Sequence, residues 1–122
     1  MRILIVEDDQ DLCQELKLLL DNAGYDGMIL KDFEHAKEEI LALCPDLVLL
    51  DITMPHMSGI EVLKKLKEID AEVKIVMCSA VGQESIIREA VIEGAIDFIV
   101  KPFKEDVLKR TVCAIVYADK GV

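Results

Sequence analysis

The stretch Asp46-Leu47-Val48-Leu49-Leu50-Asp51-Ile52-Thr53-Met54-Pro55 sets a short, unbroken apolar run directly before an aspartate. A run this brief is expected to be a strand, over Asp46 to Leu50, and its lack of in-out alternation means that both of its faces are covered. Strands of that kind lie in parallel sheets that carry helices on each side. Val73 to Cys78, with Ile75-Val76-Met77 at its centre, reads the same way. Further β-branched runs at Arg2 to Val6, Tyr25 to Leu30 and Ile96 to Val100 complete a set of five strands. Gly27 interrupts the second of them, which makes it the weakest as a strand.

Between the strands the spacing changes to that of helices. Leu12, Cys13, Leu16, Leu19, Leu20 and Ala23 recur at three- and four-residue intervals, as do Ile60, Leu63, Leu66 and Ile69. Asp9 can cap the first helix and Gly24 end it. Asp32 can cap a second from about Phe33 to Leu43, ahead of Pro45. Ser58 with Glu61 has the form of a capping box for the third, Gly94 closes the fourth, and a fifth after Pro102 presents Val107, Leu108, Thr111, Val112 and Ile115. Five βα units fall short of the roughly eight that close a barrel, so right-handed crossovers predict an open, doubly wound parallel sheet in the order 2-1-3-4-5, with helices on both faces. No internal repeat or linker interrupts the chain, which is expected to be one α/β domain over residues 1–122.

The charge balance narrows the partners. With 24 acidic against 14 basic side chains the formal charge is −10, which repels nucleic acid phosphates and anionic lipid. No direct nucleic acid or membrane contact is expected. No apolar run approaches the roughly 20 residues of a membrane-spanning helix, and the N-terminal strand turns acidic at Glu7-Asp8-Asp9 too early for a secretory signal, so a cytoplasmic location is expected. Cys13, Cys44, Cys78 and Cys113 lie far apart in sequence, without zinc spacing, and read as small buried hydrophobes of a reducing compartment.

An open α/β sheet binds its ligands beyond the carboxyl ends of its strands, where strand order reverses. In the order 2-1-3-4-5 that point lies between the first and third strands, whose ends carry Glu7-Asp8-Asp9 and Asp51. Asp8, Asp9 and Asp51 are therefore expected to converge, and like charges so close call for a cation. An all-oxygen ligand set suits Mg²⁺. The fourth and fifth strands end on Ser79 and Lys101, which add a hydroxyl and an ammonium to the same edge. An oxyanion at Asp51 would then face Mg²⁺, Ser79 and Lys101 together, the needs of a transferring phosphoryl group. Singly, each of these residues also has an ordinary role as a cap, turn or surface residue, and the case rests on their joint placement. The Lys101-Pro102 bond is expected to be trans on general frequency, with cis as the alternative that aims Lys101 over the pocket. His56 reads as a loop histidine, since Mg²⁺ prefers oxygen.

The segments VEDD, DITMP, MCSA and FIVKPF, in this order and spacing, resemble the response-regulator receiver domains of two-component signalling, from about Arg2 to Ala118. The resemblance implies a flavodoxin-like fold. It also implies Asp51 as the phosphorylated residue, Asp9 and Asp51 as direct Mg²⁺ ligands with the Thr53 backbone carbonyl, and Asp8 acting through water. Ser79 takes the place of the family's switch hydroxyl, Phe98 of its switch aromatic and Lys101 of its lysine. The implied partners are a histidine kinase or phosphotransfer protein and a downstream effector, met on the face made by the fourth helix, fifth strand and fifth helix. Thr53 and Val81 flank the path of a hydrolytic water, and whether activation pairs two copies into a homodimer is a question for light scattering. Such a domain catalyses only its own phosphorylation and dephosphorylation.

Met77 to Gln83, with Asp51 to Pro55, resembles stand-alone chemotaxis-type receivers, and the stretch before Asp51 resembles receivers attached to DNA-binding regulators. The lack of a linker after Tyr117 favours the first. An aspartyl phosphatase would carry a second aspartate where Thr53 stands, and a flavin or nucleotide binder would want a phosphate loop where Glu7-Asp8-Asp9 stands. A module of this fold that works without phosphorylation would have no use for the complete acceptor set.

Overall fold

In the computed structural model, which describes residues 1–31, 35–54, 57–70, 72–80 and 82–119, the two periodicities separate into strands and helices along the chain. The elements are β1 (Arg2–Val6), α1 (Gln10–Asn22), β2 (Asp26–Ile29), α2 (Ala36–Leu43), β3 (Leu47–Asp51), β4 (Thr53–Met54), β5 (Met57–Ser58), α3 (Gly59–Ile69), β6 (Lys74–Ser79), α4 (Glu84–Ile92), β7 (Asp97–Val100) and α5 (Glu105–Asp119). Five strands form one parallel sheet in the order β2-β1-β3-β6-β7, which is the 2-1-3-4-5 order once the short β4–β5 ladder is set aside.

Alternation along the central strands sorts their side chains into two cores. Leu4, Val6, Val48, Leu50, Ile75 and Met77 meet Ile40 of α2, Leu63 and Leu66 of α3 and Ala90 of α4. Ile3, Ile5, Leu47, Leu49, Val76 and Cys78 meet Cys13, Leu16 and Leu20 of α1 and Leu108, Val112 and Ile115 of α5. Both faces are thus apolar because both carry helices, which is why β3 shows no alternation in sequence. Asp9 caps α1, accepting from the Asp11 and Leu12 N–H groups at 3.0 and 3.2 Å. Ser58 caps α3 through the Ile60 N–H at 3.2 Å.

Several features depart from the expectations. β4 and β5 form a small antiparallel ladder, Thr53 opposite Ser58, where only a loop was foreseen. Helix α2 starts at Ala36 with His35 as its N-cap, while Asp32, Phe33, Pro55, His56 and Val81 lie outside the described residues. The Lys101-Pro102 peptide bond is cis. Among the cysteines only Cys13 and Cys78 are buried. Cys113 is half-buried, and Cys44 is exposed in a left-handed turn at φ 48° after α2.

Gly27 does not break β2 but serves its edge. The edge-facing carbonyl of Gly27 accepts from Lys17 Nζ at 2.7 Å, and its N–H donates to Asp21 Oδ1 at 3.0 Å. A side chain there would crowd Asp21 Oδ1 at 3.2 Å and the Lys17 Cα at 3.4 Å. Hydrogen bonds from Gly27 and Lys17 in turn hold the Asp21 carboxyl below its ordinary range. The Lys17 and Asp21 side chains thereby occupy backbone groups that an edge strand would otherwise offer to a foreign chain.

Gly59 is under a stricter constraint, because the first turn of α3 packs directly on the end of β3. Its N–H donates to Ile52 O at 2.9 Å, and a Cβ would lie 2.5 Å from the Asp51 carbonyl oxygen and 2.7 Å from the Ile52 Cα. Those atoms are backbone and cannot swing aside. Gly59→Ala is expected to destabilise the fold by about 3 kcal/mol, the upper part of the range for overpacking, read as a lowered urea midpoint. A loss below about 1 kcal/mol would mean that α3 can retreat from the strand.

Candidate functional site

Parallel pairing in register brings the carboxyl ends of four strands to one edge. Val6 stands opposite Leu50, Asp51 opposite Cys78, and Ser79 opposite Val100, so the residues that follow β1, end β3 and β6, and follow β7 meet there. Lys101 reaches across this edge from the end of β7. Its Nζ lies 2.9 Å from Asp51 Oδ1 and 2.9 Å from Glu7 Oε1. Its backbone N–H donates to Ser79 O at 2.7 Å, which ties the ends of β6 and β7 together.

Burial gives these contacts their force. Glu7 and Asp51 are only 4% and 5% exposed, and Ser79 is fully buried. Glu7 Oε2 and Ser79 Oγ have no hydrogen-bond partner among the described residues. A buried acceptor and a buried hydroxyl left unmade cost stability unless something else fills the site. Burial, followed by a hydrogen bond to Asp51, pushes the Glu7 carboxyl up to about 7, against the opposing pull of Lys101. Lys101 itself is raised: burial alone would lower it, and the hydrogen bonds it donates to Asp51 and Glu7 outweigh that. Burial also pushes the Cys78 thiol up to about 12 and the Cys13 thiol up to about 11, so neither supplies a thiolate beside the site.

Of the expected acidic trio, Asp8 and Asp51 are brought together and Asp9 is not. The carboxylates that gather within 4.8 Å of one another are those of Glu7, Asp8 and Asp51. Asp9 Oδ1 is occupied by two N–H groups of the first turn of α1. The expectation that Asp9 converges with Asp8 and Asp51 is therefore corrected, and among the described residues Glu7 stands in that cluster instead. The signal was available: a residue assigned as the N-cap has its side chain turned to its own helix, so the two roles given to Asp9 compete. Thr53 lies two residues past Asp51, with its backbone in β4. Phe98 stands on β7 opposite Met77 and is 44% exposed, so its ring is turned outward.

Chemically, the edge presents a buried carboxylate beside an ammonium, an all-oxygen acidic cluster and a hydroxyl with no partner among the described residues. That set can seat a small oxyanion at Asp51 and a hard cation beside it.

The response regulator receiver domain family matches residues 3–113. The chain is 45% identical over 106 residues to chemotaxis protein CheY of Bacillus subtilis strain 168, covering 86% of this chain and 88% of that one. It is 38% identical over 108 residues to transcriptional regulatory protein DltR of Streptococcus agalactiae, covering 88% of this chain and 48% of DltR. Among solved structures, the receiver domain of NtrX from Brucella abortus superposes with a TM-score of 0.82 at 32% identity, over 97% of this chain and 95% of that one.

Proposed function

The chain belongs to the response regulator receiver domain family, and from that premise we propose that Asp51 takes a phosphoryl group from the phosphohistidine of a histidine kinase and that the added charge alters an output face. The observation that carries the reading is the Asp51 carboxylate, 5% exposed and 2.9 Å from Lys101 Nζ, beside a buried hydroxyl that has no partner among the described residues. With Oδ1 held by Lys101, Oδ2 is the attacking atom. A phosphorus–oxygen bond forms, the phosphorus–nitrogen bond breaks, and the histidine nitrogen keeps the electron pair. Lys101 then faces the new phosphoryl oxygens, and Ser79 Oγ gains an acceptor. The domain turns over no other substrate in this reading.

Mg²⁺ fits the residues present. Three carboxylates within 4.8 Å offer only oxygen, and Glu7 Oε2 is buried without a partner among the described residues, so a small hard cation suits the cluster better than a soft one. Asp8 and Asp51 would hold it, with Glu7 alongside and the Thr53 carbonyl as a further backbone donor. When bound, it supplies positive charge against the oxygens of the transferring group.

The proton on Glu7 makes this binding sensitive to pH. A carboxyl near 7 is mostly protonated below that pH, and a cation must displace the proton. Apparent Mg²⁺ affinity is expected to fall about tenfold per pH unit below 7 and to level off above about 8. In the metal-free protein the sign of the stability effect follows from the raised value. The folded state binds the proton more tightly than the unfolded chain, so this contribution is present at low pH and is lost as pH rises from about 4.5 to about 7. Titration calorimetry at pH 6, 7 and 8 checks the first expectation, and an affinity independent of pH would remove Glu7 from the site.

The output face favoured here is α4, β7 and α5. Val91, Ile92, Ile96, Phe98 and Val100 are all large hydrophobics exposed at 41% or more, set along α4, β7 and the turn between them. Ile99 points to the α1–α5 core, so Phe98 and Val100 lie on the opposite face of β7, the side of α4. Inward rotation of Phe98 would change that surface. A protein effector suits it better than DNA, given the −10 charge. No helix among the described residues is long and apolar enough to cross a membrane. Intact-mass measurement after acetyl phosphate and Mg²⁺ tests the central reading: one phosphoryl adduct is expected, and its absence would overturn it.

A further inference from the structure

Ala80 is the first residue past β6, and its N–H donates to Gln83 Oε1 at 2.7 Å. Gln83 is the N-cap of α4, yet its side chain makes no capping bond to that helix and turns back to the loop instead. On the other side, Ser79 O accepts from the Lys101 N–H at 2.7 Å. The Ser79-Ala80 segment is therefore pinned at once to the start of α4 and to the end of β7. Within it, Ser79 Oγ is buried with no partner among the described residues.

The register places this segment where a group on Asp51 would arrive. Asp51 stands opposite Cys78, and Ala80 lies two residues further along, about 7 Å at the rise of a parallel strand. An aspartyl side chain carrying a phosphoryl group reaches about that far. An amide N–H there is a natural donor to an oxyanion, but at rest it is already spent on Gln83.

We propose that Gln83 is a latch: its side-chain carbonyl holds the Ala80 N–H in the resting protein, and a phosphoryl oxygen on Asp51 competes for the same donor, so that phosphorylation releases Gln83 and with it the N-terminus of α4. The proposal rests on Asp51 being the acceptor. Gln83 acts through Ala80 and is a positioning residue. It gives a direct path from the site to α4, which borders the apolar face described above.

Gln83→Met keeps the length of the side chain and removes the strong acceptor, whereas Gln83→Glu keeps an acceptor. Gln83 is only partly buried, so both variants should fold, which a thermal melt verifies. In ¹⁵N-labelled protein without a phosphoryl mimic, the Ala80 amide signal is expected to shift in Gln83→Met and to stay near its wild-type position in Gln83→Glu. With Mg²⁺ present, beryllofluoride is expected to bind Gln83→Met about fivefold more tightly than wild type, the factor one ordinary hydrogen bond is worth, and Gln83→Glu no more tightly. Equal or weaker binding by Gln83→Met, or an unmoved Ala80 signal, overturns the latch. Wild-type protein that takes no phosphoryl group from acetyl phosphate overturns the acceptor reading and the latch together, whereas a normal adduct with unaltered Gln83→Met binding overturns the latch alone.

Discussion

Asp51→Asn is expected to take no phosphoryl group from acetyl phosphate and Mg²⁺ under conditions that modify the wild-type chain to completion. The substitution preserves shape and removes the one property the reaction needs, a carboxylate oxygen with an electron pair free to attack phosphorus. Fold should survive. Asp51 sits 5% exposed beside Glu7 and Asp8, and replacing it with a neutral amide lessens repulsion within the cluster, so the thermal midpoint should stay level or rise. Unmodified mass with an intact melt is therefore the expected pair of results. An adduct forming on Asp51→Asn at the wild-type rate would put the acceptor elsewhere.

Lys101→Met should lower the rate of phosphoryl acceptance by roughly 10² to 10³, the loss seen when one preorganised donor to a developing oxyanion is removed. Lys101 is the cation held 2.9 Å from both Glu7 Oε1 and Asp51 Oδ1, and it also raises the positive potential that draws in the phosphoryl donor. Unfolding is not expected to accompany the loss. Two buried carboxylates stripped of a lysine would ordinarily be costly, but Glu7 already sits near 7 and can keep a proton once the lowering pull of Lys101 is gone. The variant should therefore fold, bind Mg²⁺ with a pH dependence displaced to higher pH, and accept phosphoryl groups slowly. A rate within about threefold of wild type would show that Lys101 only neutralises the cluster and does not act on the transferring group.

The buried aspartate, the hydroxyl and the lysine were legible because each stands at the end of a strand that sequence periodicity defines. Asp51 follows Leu47 to Leu50, Ser79 ends β6, and Lys101 follows β7. Once strand order is known, the ends of neighbouring strands must meet. Glu7 was not legible in the same way. Glu7, Asp8 and Asp9 are adjacent acids between a strand and a helix, and their divergence depends on how the chain turns from one into the other. The turn gives Glu7 to the interior, Asp8 to the exposed rim and Asp9 to the first N–H groups of α1. A composition of three acids in a row does not distinguish those directions.

The fold class, the strand order and the placing of Asp51 at a strand end followed from the chain alone, because hydrophobic period and the ends of periodic runs are local properties that survive without coordinates. What the tertiary structure decided was where each polar side chain points and what it meets: Glu7 in place of Asp9, the cis bond before Pro102, Gly27 closed by Lys17 and Asp21, and Gln83 turned back to Ala80. Those outcomes depend on Cα–Cβ directions and on contacts between residues distant in the fold. Neither is written in the spacing of apolar residues.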